Sequence, residues 1–284
     1  MSRQFTLVEQ VGGLSWQQLR ERSRALLGPK AVKLAAPAQR SALADHYENN
    51  PRLYRRYEAP RMREAEYDEI LDLLTSLPWN RIARRNVPKS RNGAKAAESF
   101  VMGGVLGQRG FYGFRGATVG KMGYNDNIVP LTLAKQSDEV LKLWCLLKDL
   151  LGRIDPAFEY TSVQVNRNFR GLPHRDKHDV TYQYALSLGD FSGGRLLAET
   201  GDPNVVAAFD THGRPTRLDG RRVHWVAPHT GGDRYSLIMY AVKGEPTPVS
   251  DETNAIFVEP EDATVRQALG FASGPEYVAL DVSE

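Results

Sequence analysis

Apolar and polar positions change their period near the middle of the chain. In the first half they recur at helical spacing. Ser15-Trp16-Gln17-Gln18 matches a capping box, in which side chains take up the free N–H groups of a first turn, and predicts a helix to about Leu27. Residues 28–62 are rich in Ala, Pro and Arg and show no firm period. From Arg63 to Leu77 a stripe of Ile70, Leu71, Leu73 and Leu74 predicts a second helix, which Pro78 ends. The clearest helix is expected over Lys135 to Leu151, with Val140, Leu141, Trp144, Leu147, Leu150 and Leu151 on one side and Gly152 at its end.

Beyond Asp155 the period becomes two. FEYTSVQVNRNF, VTYQYALSL, GRLLAE, VVAAFD, RRVHWVA and DRYSLIMYAV are short segments rich in β-branched and aromatic residues, separated by Gly, Pro and Asp turns. Helices followed by closely spaced strands predict an α+β fold, an antiparallel sandwich or open barrel backed by N-terminal helices. The expected division is an N-terminal helical extension over 1–62, a strand-rich domain with supporting helices over 63–250, and an acidic tail over 251–284 with one short helix around Ala263 to Leu269.

At 41% hydrophobic and 25% charged residues over 284 positions, the composition is that of a globular protein. A chain of this length buries about three quarters of its unfolded surface and needs no disulfide to fold. The single cysteine, Cys145, has no partner for one, which points to a reducing intracellular setting, cytoplasmic or nuclear. No apolar run reaches the ~18 residues that span a bilayer, and charges stand in MSRQFTLVEQ where a signal peptide has its apolar core. Neither a membrane protein nor a secreted one is expected.

The formal charge of +3 conceals an uneven distribution. Residues 251–284 hold eight acids and one base, which leaves 36 basic and 26 acidic residues in 1–250. Six of those bases, Arg81, Arg84, Arg85, Lys89, Arg91 and Lys95, fall in one stretch without an acid. Such a stretch is either a solvated loop or a surface for nucleic-acid phosphates. Next to it, Gly103 to Gly123 contains eight glycines interleaved with Phe111, Tyr112 and Phe114. The spacing fits no phosphate-binding glycine motif. Short strands and tight turns are one reading, and a flap with aromatic stacking groups is the other.

The chemistry is concentrated in the strand-rich half. His174 and Asp176 stand two apart in an extended stretch, so both side chains reach the same side and one metal ion. His224 lies within a strand pattern, and Arg234 and Ser236 share a face of the next strand. Gly231-Gly232 between them is expected to turn the chain so that these two strands lie side by side. Two imidazoles and a carboxylate then form a facial set for Fe(II) with open positions. A guanidinium and a hydroxyl nearby suit a carboxylate.

With these residues in place, the chain resembles the Fe(II)/2-oxoglutarate-dependent dioxygenases. The resemblance rests on His174-x-Asp176, on His224, on Arg234-x-Ser236 and on the Gly193-Gly194 turn in GDFSGGRL, over about residues 156–243. It implies a double-stranded β-helix with iron at its mouth, held by His174, Asp176 and His224. It also implies 2-oxoglutarate and O2 as co-substrates, with Arg234 and Ser236 anchoring the distal carboxylate. Within the superfamily, VQVNRNFRGLPHRDKHD and ALSLGDFSGG are similar to the Tet/J-binding-protein branch, which oxidises the methyl group of a base in DNA. An algal relative of that branch uses ascorbate, and Arg234-x-Ser236 favours 2-oxoglutarate here.

Other polar residues compete for roles. Asn166 and Tyr184 are expected to hydrogen-bond to the co-substrate from neighbouring strands, or else to satisfy backbone groups. His229, only five residues before Arg234, reads as a rim residue, and His178 is an alternative ligand to His174. Asp179 reads as a surface acid or a neighbour of the co-substrate. Three alternatives stay open: a protein or small-molecule hydroxylase with the same iron centre, a non-catalytic binding module, and a zinc hydrolase that leaves Arg234-x-Ser236 without a task. A serine hydrolase lacks its G-x-S-x-G elbow.

Overall fold

Large apolar residues on alternate strand positions demand cover on one face, and two pairs of helices supply it. The computed structural model describes residues 16–50, 54–79, 81–83, 88, 96–103, 138–200, 206–242, 244–250 and 252–258. Its helices are α1 (Trp16–Leu27), α2 (Ala36–Glu48), α3 (Asp68–Ser76) and α4 (Asp138–Ile154). Its strands are β1 (Tyr54–Glu58), β2 (Arg81–Ala83), β3 (Ala96–Gly103), β4 (Ser162–Arg167), β5 (Gln183–Leu188), β6 (Phe191–Gly193), β7 (Leu196–Glu199), β8 (Val206–Asp210), β9 (Thr216–Leu218), β10 (His224–Val226), β11 (His229–Gly231), β12 (Tyr235–Tyr240) and β13 (Ile256–Val258).

The larger sheet runs β2-β3-β4-β12-β5-β9, antiparallel throughout. The smaller runs β10-β7-β8-β1-β13, antiparallel except for β1 beside β8. A short ladder of β6 with β11 joins one end. Helices α3 and α4 seal the larger sheet: Ile70, Leu74, Leu143 and Leu147 pack with Val163, Leu186, Leu237 and Met239. Helices α1 and α2 seal the smaller, where Leu19, Leu43 and Tyr47 pack on Leu197, Val206 and Trp225. The architecture is an α+β double-stranded β-helix whose sheets face each other without closing into a barrel.

Every one of the six period-two segments contains a strand. The helices were less legible. The expected helix from Arg63 divides: Glu66 Oε2 accepts the backbone N–H of Arg63 at 2.7 Å and closes a 3-10 turn, and Tyr67, at φ −132° and ψ 0°, breaks the helical run before α3 begins. Helix α4 continues past Gly152 to Ile154, because Gly152 stands in open space and Asp155 N–H still reaches Leu151 O. Helix α2 and strand β1 arise where no period was visible, and β1 joins the sheet between β8 and β13. Strand β13 comes from the acidic tail, whose expected helix at 263–269 lies outside the described residues. The glycine-aromatic segment also lies outside them beyond Gly103. Of the basic stretch, Arg81 lies in β2 opposite Glu98, and Arg84, Arg85, Lys89, Arg91 and Lys95 fall outside the described residues. Cys145 is exposed on α4. Among the described residues no helix is long and apolar enough to cross a membrane.

Candidate metal centre and the adjoining cavity

The stretch before β5 is stitched to β10, the edge of the smaller sheet. His174 N–H donates to His224 O at 3.0 Å, and His224 N–H returns to His174 O at 2.9 Å. Val226 N–H donates to Gly171 O and Asp176 N–H to Gly220 O, which holds the stretch on both sides of this bridge. The backbone is extended there, so His174 and Asp176 project together. One ligand atom from each of His174, Asp176 and His224 lies within 4.8 Å of the others, close enough to hold one metal ion.

The ring orientations fit that use. Nδ1 of His174 lies 2.7 Å from Leu172 O, and Nδ1 of His224 lies 2.9 Å from Arg222 O. A carbonyl only accepts, so each Nδ1 carries the hydrogen and each Nε2 presents its lone pair. Both Nε2 atoms turn to the same carboxylate, 3.7 Å and 3.5 Å from the Asp176 oxygens. Backbone carbonyls thus fix the tautomer that ligation needs.

The triad opens on a cavity of about 400 Å³ between the two sheets, which also holds Arg234, Ser236, Ser187 and Asn166 in its walls. Sheet register aligns the floor: Ser236 stands opposite Asn166 on β4 and Ser187 on β5, and Ser99 on β3 lies opposite Asn166. Ser99 Oγ donates to Asn166 Oδ1 at 2.7 Å, and Asn166 Nδ2 donates to Ser236 Oγ at 3.2 Å.

Arg234 is only 2% exposed. Its Nη2 donates to Ser187 Oγ at 2.8 Å and to Gly194 O at 3.1 Å, and the guanidinium lies over the Phe191 ring. Among the described residues its Nε and Nη1 have no hydrogen-bond partner. Burial lowers its pKa to about 10. An orphaned, desolvated cation is costly and calls for an oxyanion. Gly194 makes the approach possible: at φ +66° it adopts a left-handed conformation, and a Cβ there would stand 2.7 Å from Arg234 Nε.

Several expectations need correction. His224 and Arg234 do not lie on neighbouring strands. Residues 229–231 form β11 against β6, and Gly232 N–H donates to Asp190 O at 2.6 Å, so the two residues reach the cavity from opposite sheets. Tyr184 faces away from the cavity, because alternation along β5 turns Gln183, Ala185 and Ser187 inward. Its hydroxyl donates to Asp155 Oδ2 at 3.0 Å, within the core under α4. Ser187 and Thr211 are among the polar wall residues that sequence reading missed, their hydroxyls 2.8 Å apart. The inward phase of QYALSL, with small or polar residues at alternate positions, was the signal for Ser187.

The remaining polar residues ring this site. His178 is exposed at the cavity wall and stands outside the three-residue group. His229 packs beside Gly194, with its pKa lowered by burial and then by Arg234 and Arg170. Asp179 is buried in the cavity wall, where burial, then Asp176 and Asp219, push its carboxyl well above the usual range.

A double-stranded β-helix with a His-Asp-His group at its mouth is what the fold and the site define. No family model and no curated protein matches the chain. Among solved structures it is similar to an oxidoreductase of the 2OG-Fe(II) oxygenase family from Burkholderia pseudomallei, at 16% identity over 62% of this chain and 78% of that one, with a TM-score of 0.41. A prolyl hydroxylase from Trichoplax adhaerens, in complex with a hypoxia inducible factor peptide, matches at 12% identity over 81% of this chain and 94% of that one, with a TM-score of 0.34. NgTET1 in complex with 5mC DNA matches at 22% identity over 39% of this chain and 48% of that one, with a TM-score of 0.26. At these scores the likenesses add nothing to what the strands and side chains show by themselves.

Proposed function

We propose that the chain is an Fe(II)- and 2-oxoglutarate-dependent dioxygenase that oxidises a methylated base in nucleic acid. One observation carries the reading: a His-Asp-His group with both Nε2 atoms turned inward shares a cavity with a buried guanidinium whose Nε and Nη1 are unpartnered. His174, Asp176 and His224 would hold the iron, which when bound supplies the chemistry that activates dioxygen.

The chain's own residues do the rest. Arg234 and Ser236 anchor the distal carboxylate of 2-oxoglutarate, and Ser187 keeps the guanidinium aimed. Asn166 donates to Ser236 Oγ and so leaves that hydroxyl its hydrogen to give to a carboxylate oxygen. Apolar walls of Val101, Leu196, Val226 and Ile238 limit water around the reacting groups. A zinc hydrolase would make no use of Arg234.

The basic excess over 1–250 and its cluster at Arg81, Arg84, Arg85, Lys89, Arg91 and Lys95 support a nucleic-acid substrate. The decisive experiment supplies iron-loaded protein with 2-oxoglutarate and methylated oligonucleotides. Succinate release together with one added oxygen on the base is expected. Succinate without base oxidation would move the substrate to a protein or a small molecule. Turnover with ascorbate and none with 2-oxoglutarate would replace the co-substrate.

A further inference from the structure

Ser236 owes its orientation to a row of side chains that crosses three strands of the larger sheet. Register sets Ser99 on β3 and Ser236 on β12 on either side of Asn166 on β4. Ser99, Asn166 and Ser236 are 2%, 1% and 7% exposed, so their hydrogen bonds run to one another rather than to bulk water. A hydroxyl donates and accepts, and a side-chain amide can turn over, so such a row can point either way. Some neighbour must choose. Gln164, two residues before Asn166 on the same face of β4, is placed to do so.

The Gln164 amide has one workable orientation. Its Nε2 lies 3.1 Å from Phe100 O and 3.0 Å from Asn166 Oδ1, and it also donates to Ser99 Oγ. Phe100 O is a main-chain carbonyl and only accepts, so turning the amide over would set oxygen against oxygen. Each later bond then follows. With the Gln164 nitrogen beside it, Asn166 presents Oδ1, which also accepts the Ser99 hydroxyl at 2.7 Å. Asn166 Nδ2 is left to face Ser236 Oγ, to which it donates at 3.2 Å. Ser236 accepts there, and its own hydrogen remains for the cavity.

We propose that Gln164 is a positioning residue that fixes the direction of this row, so that Ser236 meets the co-substrate as a donor and the anchor selects a carboxylate over the uncharged carboxamide of the same shape. This role rests on the dioxygenase reading, which supplies the carboxylate. When Arg234 takes one atom of the distal group, Ser236 faces the other. An oxygen there accepts the hydroxyl hydrogen. An amide nitrogen instead meets one donor with another, and the hydroxyl hydrogen is left unpaired in a buried place, which is costly. A row pointing the opposite way would put the Ser236 hydrogen on Asn166 and offer only lone pairs to the cavity, which would suit the carboxamide.

The test titrates 2-oxoglutarate and its distal carboxamide analogue, 2-oxoglutaramate, into the full chain loaded with Mn(II) in the absence of oxygen. Calorimetry gives the ratio of the two Kd values. Gln164→Met keeps the length of the side chain and removes its donors, so the preference for the carboxylate should fall about tenfold. Gln164→Leu, the second variant, should do the same. In a Ser236→Ala background, which has lost the hydroxyl, neither substitution should move the ratio further. A general disturbance of the sheet would instead weaken both ligands together and persist in that background. An unchanged ratio in both variants with normal thermal unfolding would overturn the role of Gln164, as would a fall of equal size with and without Ser236. Binding of neither ligand by the parent protein would remove the dioxygenase reading and this role with it. Binding of 2-oxoglutarate with a ratio that Gln164 does not move would remove this role alone.

Discussion

His174 and His224 hold each other by two main-chain hydrogen bonds, and their rings stand 4.4 Å apart at 49°. Two residues fifty positions apart in sequence are thereby locked before any ion arrives. The backbone has met much of the ordering cost of a metal site, so ion affinity should depend chiefly on the donor atoms.

Replacing a donor should therefore remove the ion and spare the fold. Asp176→Ala should weaken Fe(II) or Mn(II) binding by ~100-fold or more. Thermal unfolding of the metal-free protein should change little, because Asp176 is partly exposed. Calorimetric titration of metal into both proteins checks this, and equal affinities would exclude Asp176 as a ligand.

Arg234 separates co-substrate binding from stability. Arg234→Met removes a desolvated charge, so the free protein should unfold at the same temperature or higher, while 2-oxoglutarate affinity falls ~100-fold. The pH dependence has a definite sign. Under the proposed reading only the protonated guanidinium would bind the carboxylate, so affinity should be lost as pH rises through about 10. Co-substrate titrations with thermal unfolding on the same samples measure both effects.

Gly194 is the tightest point around that guanidinium. Gly194→Ala forces a side chain into a left-handed conformation and against Arg234 Nε, so a loss of ~1–3 kcal/mol in stability is expected. Weaker 2-oxoglutarate binding should accompany it. Denaturant unfolding that matches the parent protein would show that Arg234 moves aside freely.

Tyr184→Phe tests the corrected placement of that residue. Loss of its hydrogen bond to Asp155 should cost about 1 kcal/mol, with no change in co-substrate affinity. A large change in affinity would return Tyr184 to the site.

The convergence of His174, Asp176 and His224 was legible because it depends on local geometry that two-residue spacing states directly, His174 with Asp176, and on a strand pattern around His224. The floor of the cavity was half legible. Asn166 and Ser236 were recognised, whereas the phase of β5 was misjudged at Tyr184, a polar-tipped aromatic that serves equally well in a core or a pocket. Pairing between sheets was not legible at all. Gly231-Gly232 looks like a hairpin turn in one dimension, and only the demand of β6 for a partner shows that it is not. Strand β1 and the edge strand β13 beside it were hidden for a related reason, since few buried side chains mark a strand that a sheet recruits from distant segments.

One wall of the sandwich carries the imidazoles and the other carries Arg234, so the aperture between them is a working dimension of the molecule. That gap is governed from outside, by the helices clamped on each sheet. Shaving a bolt such as Leu147 or Leu43, remote from every reacting atom, would let the walls drift and detune both grips together.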